Sequence, residues 1–301
     1  MRRFRAIALR YTVSPLRARR FWATLRAEPV LAQQMEAFMN PNDTFYDTIA
    51  RFYDAENAEM TDDLPLYEEL YARTGGPVLD VGCGTGRVML HLAQQGARVV
   101  GVDRSEQMLA RGQRKLEVMR DLRRRVTFVA GDVLTADLPG PFKLILVPYN
   151  GFMHFHTQAD QLAALRRFRA LLSADGLLVL DLPNAGEAYA TQDDNALVLE
   201  RSFVEPESGH LVMQHSVSTL DRIAQQLHVT WIYDEVLPDG LVRRTVAPLR
   251  LRYVFFGEMQ LLLAATGLRL IEVYGDYDEA PFEEGCPRMI VLAGPGEGSP
   301  A

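Results

Sequence analysis

The chain has 301 residues, 48% hydrophobic and 24% charged, with two cysteines and a formal net charge of −7. The apolar share supplies a core and excludes global disorder, while two thiols exclude a disulfide framework and a four-thiolate zinc site. Eight arginines and two glutamates give residues 1–40 a charge of +6 and leave −13 on the rest, an acidic body that argues against a nucleic-acid surface and suits a small cationic ligand.

Residues 1–40 read as a basic N-terminal extension. The longest early apolar run, Ala6 to Leu9, is too short for a secretory signal core. A solvated helix is expected there, with a partner- or membrane-surface helix as the alternative. No uncharged apolar stretch approaches the ~20 residues of a bilayer span, so a cytoplasmic chain without stable membrane insertion is expected. After Pro41, the three- and four-residue spacing of Phe45, Tyr46, Ile49, Phe52 and Tyr53 predicts a helix, and Leu66 to Tyr71 a second. Thr74-Gly75-Gly76-Pro77 then breaks the chain.

From there strands alternate with helices. Strands are expected at Val78–Val81, Arg98–Val102, Val126–Ala130, Leu144–Val147 and Leu177–Leu182, and helices at Arg87–Gln95, from Glu106 to about Arg120, and at Gln161–Leu172. Such alternation predicts an α/β fold with a parallel sheet covered on both faces. Period-two segments follow at His210–Val217, Leu227–Val236 and Leu241–Tyr253, with Pro238-Asp239-Gly240 as a turn. They mark residues 185–255 as an antiparallel β insert between core segments 41–184 and 256–294. A helix at Glu258–Thr266 and strands at Leu268–Tyr274 and Arg288–Ala293 complete that core, making seven strands in its sheet.

The strongest signal is Val78-Leu79-Asp80-Val81-Gly82-Cys83-Gly84-Thr85-Gly86-Arg87, an apolar strand leading through an acid and three alternate glycines into a helix. Glycine lets the backbone turn sharply and approach a ligand without a Cβ in the way. The helix N-terminus offers free N–H groups to a carboxylate. Dinucleotide binders have a third glycine where this chain has Arg87, and Asp80 would face a pyrophosphate unfavourably. A ligand with an amino-acid end and positive charge fits better. Asp103 closes the second strand, where a carboxylate can accept from two ribose hydroxyls. Asp132 follows the third, where it can accept from an adenine amino group or cap a helix.

These residues resemble the class I S-adenosylmethionine-dependent methyltransferases, with a Rossmann-like seven-stranded sheet. The resemblance implies that Asp80, Gly82, Cys83, Gly84, Thr85 and Gly86 hold the methionine moiety and Asp103 the ribose. It implies that Met108 packs on the adenine and that Asp132 and Val133 read its amino edge, with Arg104 and Pro148 beside them. Acceptor groups are then expected after the fourth strand, in Val147-Pro148-Tyr149-Asn150-Gly151-Phe152-Met153-His154. His154 is the candidate base, because imidazole ordinarily titrates near neutral pH. Val147-Pro148-Tyr149 lacks the polar residue and second proline of the amino-methyltransferases of DNA, which disfavours a nucleobase acceptor.

The pattern is most similar to sugar amine and glycine N-methyltransferase-like enzymes, in which an early Tyr-Asp tyrosine and a histidine after the fourth strand approach the amine. Tyr46 and His154 match those positions, and Tyr53-Asp54 repeats the dipeptide. Tyr53, Tyr149, Asn150, Phe152, Tyr233 and Arg288 are candidate acceptor-binding residues, Arg288 as a clamp for a carboxylate or phosphate. The expected reaction moves a methyl group to an amine or hydroxyl of a small metabolite, with the β insert as a substrate cap. Two alternatives stand beside it: a nicotinamide-dependent oxidoreductase on a related fold, and a cofactor-binding regulatory or assembly protein without catalysis. A homodimer is left open.

Overall fold

The computed structural model describes residues 41–189 and 196–296. The basic extension expected over residues 1–40 lies outside them, and the chain divides at Asn40, with the β insert belonging to the same unit as the main sheet. The first helix, α1 (Pro41–Glu56), buries Phe45, Ile49 and Phe52 along one stripe. The second, α2 (Leu64–Thr74), buries Leu66, Tyr67 and Leu70.

The alternation then runs β1 (Val78–Val81), α3 (Arg87–Gln94), β2 (Val99–Asp103), α4 (Glu106–Val118), β3 (Val126–Ala130), β4 (Phe142–Val147), α5 (Gln158–Leu171) and β5 (Leu172–Pro183). One-turn α6 (Ala185–Ala188) leads to β6 (Leu197–Val204), β7 (Leu211–Asp221), β8 (Gln226–Val236) and β9 (Val242–Arg252). The last elements are α7 (Phe256–Ala264), β10 (Leu268–Tyr274) and β11 (Arg288–Pro295). Helix α5 starts three residues before its apolar periodicity does, because Thr157 and Asp160 form a reciprocal capping box. Strand β6 was not singled out by its sequence, which carries a β-bulge between Leu199 and Arg201 and so breaks simple alternation.

The main sheet has seven strands in the order β10-β11-β5-β4-β1-β2-β3. Strands β1 to β5 pair in parallel, and β11 lies antiparallel to both β5 and β10. The insert forms a separate antiparallel sheet in the order β6-β7-β8-β9. Both faces of the main sheet are buried, which is why its central strands are continuous apolar runs. On one face Leu79, Val81, Ile145 and Leu180 pack with Leu165 and Phe168 of α5 and Met259 and Leu262 of α7. On the other, Val78, Val99 and Leu144 pack with Tyr67 and Leu70 of α2 and Val88, Met89 and Leu92 of α3. A third cluster joins α1 to the insert, with Phe52 stacked on Tyr233 at 4.7 Å between ring centroids. Helix α1 therefore bridges the insert and the carboxyl ends of β1 and β2, which its polar side reaches as described below. Among the described residues no helix is long and apolar enough to cross a membrane.

Candidate active site

The glycine loop between β1 and α3 is a chain of left-handed turns. Gly82, Gly84 and Gly86 have φ of +71°, +54° and +85°, conformations that L side chains rarely adopt. Gly82 N–H donates to the Val102 carbonyl at 2.8 Å, tying the loop to β2. A Cβ on Gly82 would meet nothing within 4 Å, so open space adjoins the backbone there, whereas one on Gly84 would lie 3.2 Å from the Met108 Cε. The buried Met108 side chain thus lies against the loop. Thr85 is also buried, donating to Asp54 of α1 at 2.6 Å and accepting from Lys115 of α4 at 2.9 Å. The Cys83 thiol packs toward β2, where it and Met89 leave no room for a Cβ on Gly101. Only the backbone of Cys83 stays with the loop, its N–H on the Val102 carbonyl.

Three acids stand at the ends of β1, β2 and β3. Asp80 is fully buried, and neither of its carboxylate oxygens has a hydrogen-bond partner. Burial pushes its pKa up to about 7; the Arg87 guanidinium opposes that and Asp103 adds to it. A buried unpartnered carboxylate is costly unless a cation or donor arrives. Asp103 accepts from the N–H of Gly84 and of Ser105, each at 2.8 Å, and burial raises its pKa while those bonds lower it. Asp132 makes a short local turn, accepting the Leu134 N–H at 2.9 Å, so one of its oxygens has the capping role. Val133 beside it is buried in the core. An open glycine backbone, a buried acid lacking a hydrogen-bond partner and two further carboxylates suit a ligand that joins a cation to a hydroxyl-bearing ring.

Arg87, where dinucleotide binders carry glycine, makes a two-pronged bond to Asp63 at 2.6 Å per prong and a third bond to the Met60 carbonyl. It thereby locks the loop between α1 and α2 against the start of α3. Helix α1 is pinned beside the crevice by both of its Tyr-Asp dipeptides. Asp47 accepts from Ser105 Oγ at 2.5 Å, and Asp54 accepts from Thr85 and Lys115. Seven residues apart, the aspartates share one helix face, as do Tyr46 and Tyr53, whose rings meet edge to face at 6.3 Å. Both dipeptides thus face the crevice from one side of α1.

The Tyr46 hydroxyl lies 3.0 Å from His154 Nε2. Burial pushes the His154 pKa down to about 4, with His156 and Arg104 adding to the effect, so the imidazole is neutral at physiological pH rather than poised near 6.5. Burial also holds the Tyr46 phenol well above its usual range, so it keeps its proton. His154 ends a short 3-10 turn, Gly151–His154, that follows β4 through two residues in left-handed conformations, Tyr149 and Asn150. Such φ values are strained for non-glycine residues and need surrounding support.

The support comes from Asp181 of β5, which accepts the Tyr149 N–H at 2.9 Å and the Tyr67 and Tyr277 hydroxyls at 2.8 and 3.1 Å. The Asn150 N–H donates to the Asp181 carbonyl. Arg288 ion-pairs with Asp181 and donates to Asn150 Oδ1 at 3.1 Å. Arg288 is thus a half-buried brace for the β4 turn rather than the free anion clamp its position suggested. Phe152 and Tyr233 are also displaced from the acceptor role: Phe152 is wholly buried in the main core, and Tyr233 packs beneath α1 with its hydroxyl on Gln214. Tyr149 stays 43% exposed, and Tyr53 lies beside Tyr46. Pro148 directly follows β4, and Arg104 follows Asp103 near His154.

A cavity of about 420 Å³ lies between the insert and this turn, with Asn150 and Met153 on one side and Trp231 and Leu249 on the other. Sequence reasoning missed Asp181; a lone acid inside the apolar run Leu177–Leu182 is the signal that marks a buried partner.

Residues 78–176 match a family model described as a methyltransferase domain. The chain is 30% identical over 218 residues to the cypemycin N-terminal methyltransferase of a Streptomyces species, a match that covers 72% of this chain and 82% of the relative. It is 28% identical over 206 residues to a glycine/sarcosine N-methyltransferase of Parasynechococcus marenigrum, covering 66% of this chain and 65% of that one. Among solved structures, the CcbJ methyltransferase from Streptomyces caelestis aligns with a TM-score of 0.68 at 25% identity, over 78% of this chain and 90% of the other.

Proposed function

Because the chain belongs to the S-adenosylmethionine-dependent methyltransferases, we propose that it methylates the nitrogen of a small-molecule amine, with Tyr46 and His154 at the reacting centre. The observation that carries this reading is the 3.0 Å bond between those two side chains at the exit of β4, with Asp103 close enough to influence Tyr46. Relatives that are a cypemycin N-terminal methyltransferase and a glycine/sarcosine N-methyltransferase support a nitrogen acceptor.

When bound, S-adenosylmethionine supplies a methyl group on a sulfonium, open to in-line displacement. Asp80 would meet its positive charge, Gly82 to Gly86 would give the backbone cradle, and Asp103 and Asp132 would hold the ribose and adenine. Met108, Val133, Arg104 and Pro148 would border the bound nucleoside. The unpartnered oxygens of Asp80 would repel a pyrophosphate, which sets the nicotinamide alternative aside.

An amine attacks only through a free lone pair, so it must be neutral at the reacting centre. Tyr46 Oη accepts a hydrogen bond from the amine and fixes its approach. His154, neutral across the physiological range, accepts the Tyr46 O–H through Nε2 and so leaves the Oη lone pairs to the amine, and the methylated nitrogen carries its extra proton out to water with the product. Asp181 and Arg288 hold the turn that carries His154, and the insert acts as a substrate cap that excludes water. Two free cysteines, one of them buried, fit a reducing cytoplasm.

The test incubates the full chain with methyl-labelled S-adenosylmethionine and matched panels of small primary amines and alcohols. Label in amines is the expected result; label confined to alcohols, or transfer to neither panel, overturns the reading. Tyr46→Phe and His154→Ala should each lower turnover about 100-fold while S-adenosylhomocysteine affinity stays within about twofold.

A further inference from the structure

The cavity beneath the insert has an unusual polarity. Its walls are apolar, with Val198, Leu227, Val229, Trp231 and Leu251 among them, and among the described residues its lining includes one carboxylate, Glu200, and no Lys or Arg. Glu200 is the extra residue of the β-bulge in β6: Leu199 pairs with His215 and Arg201 with Gln214, leaving Glu200 unmatched. A bulge of this kind re-aims side chains. Here consecutive residues serve the same side of the strand, with Arg201 donating to the Glu56 carbonyl of α1 at 2.6 Å and Glu200 lining the cavity. Ser216, itself buried, donates to the Glu200 carboxylate and holds it in place. Val229, Trp231, Leu249 and Leu251 line the cavity and also pack in the cluster that contains Tyr46, so this space adjoins the reacting side chains.

We propose that Glu200 recognises a cationic group on the acceptor, and that the acceptor is an apolar-bodied amine carrying this second positive charge away from the attacked nitrogen. The inference rests on the methyl-transfer reading above and narrows its substrate class. Two groups are needed because the two places demand opposite protonation. The nitrogen beside Tyr46 and His154 must be neutral to attack, and Arg104 acts on that spot electrostatically. A carboxylate that Ser216 holds at the exposed rim of an otherwise apolar cavity, by contrast, pairs with an ammonium through a charge-assisted hydrogen bond.

The experiment uses the full chain loaded with S-adenosylhomocysteine and three probes that differ only at the far end: 1,4-bis(aminomethyl)benzene, 4-(aminomethyl)benzyl alcohol and 4-(aminomethyl)benzoate. Calorimetry should rank diamine above alcohol above benzoate, with about tenfold between the first two. Glu200→Gln should erase the preference for diamine over alcohol without changing S-adenosylhomocysteine affinity, and Ser216→Ala should reduce it. Equal binding of diamine and alcohol, preference for the benzoate, no binding of any probe, or an undiminished preference in Glu200→Gln each overturns the proposal. The same series run without S-adenosylhomocysteine separates the two claims. Nucleoside binding without the ranking defeats the role of Glu200 alone, and the ranking without nucleoside binding defeats the methyl-transfer reading instead.

Discussion

Asp80 links ligand affinity to pH, and one substitution exposes the link. Its pKa in the folded protein, about 7, lies some three units above the ordinary 3.8. Between those values the folded, ligand-free protein keeps a proton that the unfolded chain has released. Its stability contribution is therefore intact below pH 3.8 and is lost as pH rises through 7, by up to about 4 kcal/mol. A sulfonium against the two unpartnered oxygens favours the ionised form, so binding expels the proton. If the bound pKa returns to 3.8, affinity at pH 5.5 is about 30-fold weaker than at pH 8, and about 0.9 proton leaves per ligand at pH 6. Titration calorimetry with S-adenosylmethionine, in buffers of different ionisation enthalpy, reads both quantities. Asp80→Asn should bind more weakly at pH 8, release no proton, and melt several degrees higher than the wild type when ligand-free at pH 8. A wild-type affinity flat from pH 5.5 to 8 with no proton release would refute the reasoning, as would an Asn variant that binds as well as the parent.

Further consequences follow from the same geometry. The His154 imidazole, identified by the NMR signal lost in His154→Ala, should stay neutral down to a pH of about 4. Because its folded pKa lies below the unfolded 6.5, its contribution to stability is complete above pH 6.5 and disappears as pH falls through 4; a midpoint near 6.5 would contradict its burial. Arg288→Met leaves Asp181 buried without its counter-charge and should cost about 3–5 kcal/mol in urea unfolding, whereas adding Asp181→Asn should recover part of that loss. A double variant no more stable than the single one would show that the pair is not the brace described. Gly84→Ala should destabilise by about 1–2 kcal/mol through its left-handed backbone and also weaken S-adenosylmethionine binding; an unchanged affinity would place the ligand away from the loop.

Much of this was legible in the sequence because parallel strands buried on both faces leave apolar runs that end where a ligand can bind. Val126–Ala130 and Leu268–Tyr274 were read to the residue. Asp80, Asp103 and Asp132 stood out because each follows such a run, and the structure brings all three to one edge of the sheet. Tyr46 and His154 are 108 positions apart, and only the resemblance to known enzymes paired them before the structure did. What stayed hidden depends on long-range partnership. Arg288 looked like a free cation because Asp181, 107 residues away, sat unremarked inside an apolar strand. Phe152 and Tyr233 looked available because an aromatic residue in a wall and one in a core read alike. Strand β6 escaped because its bulge puts Glu200 and Arg201 in succession where alternation expects one inward residue.

The central claim is that the glycine loop and the acids at the strand ends hold the adenosyl sulfonium. Calorimetric titration of the full chain at pH 8 with S-adenosylmethionine and, separately, with NAD tests it most directly. One-to-one micromolar binding of the sulfonium with no uptake of NAD is the predicted result; tight binding of NAD, or a folded protein that ignores S-adenosylmethionine, would contradict it.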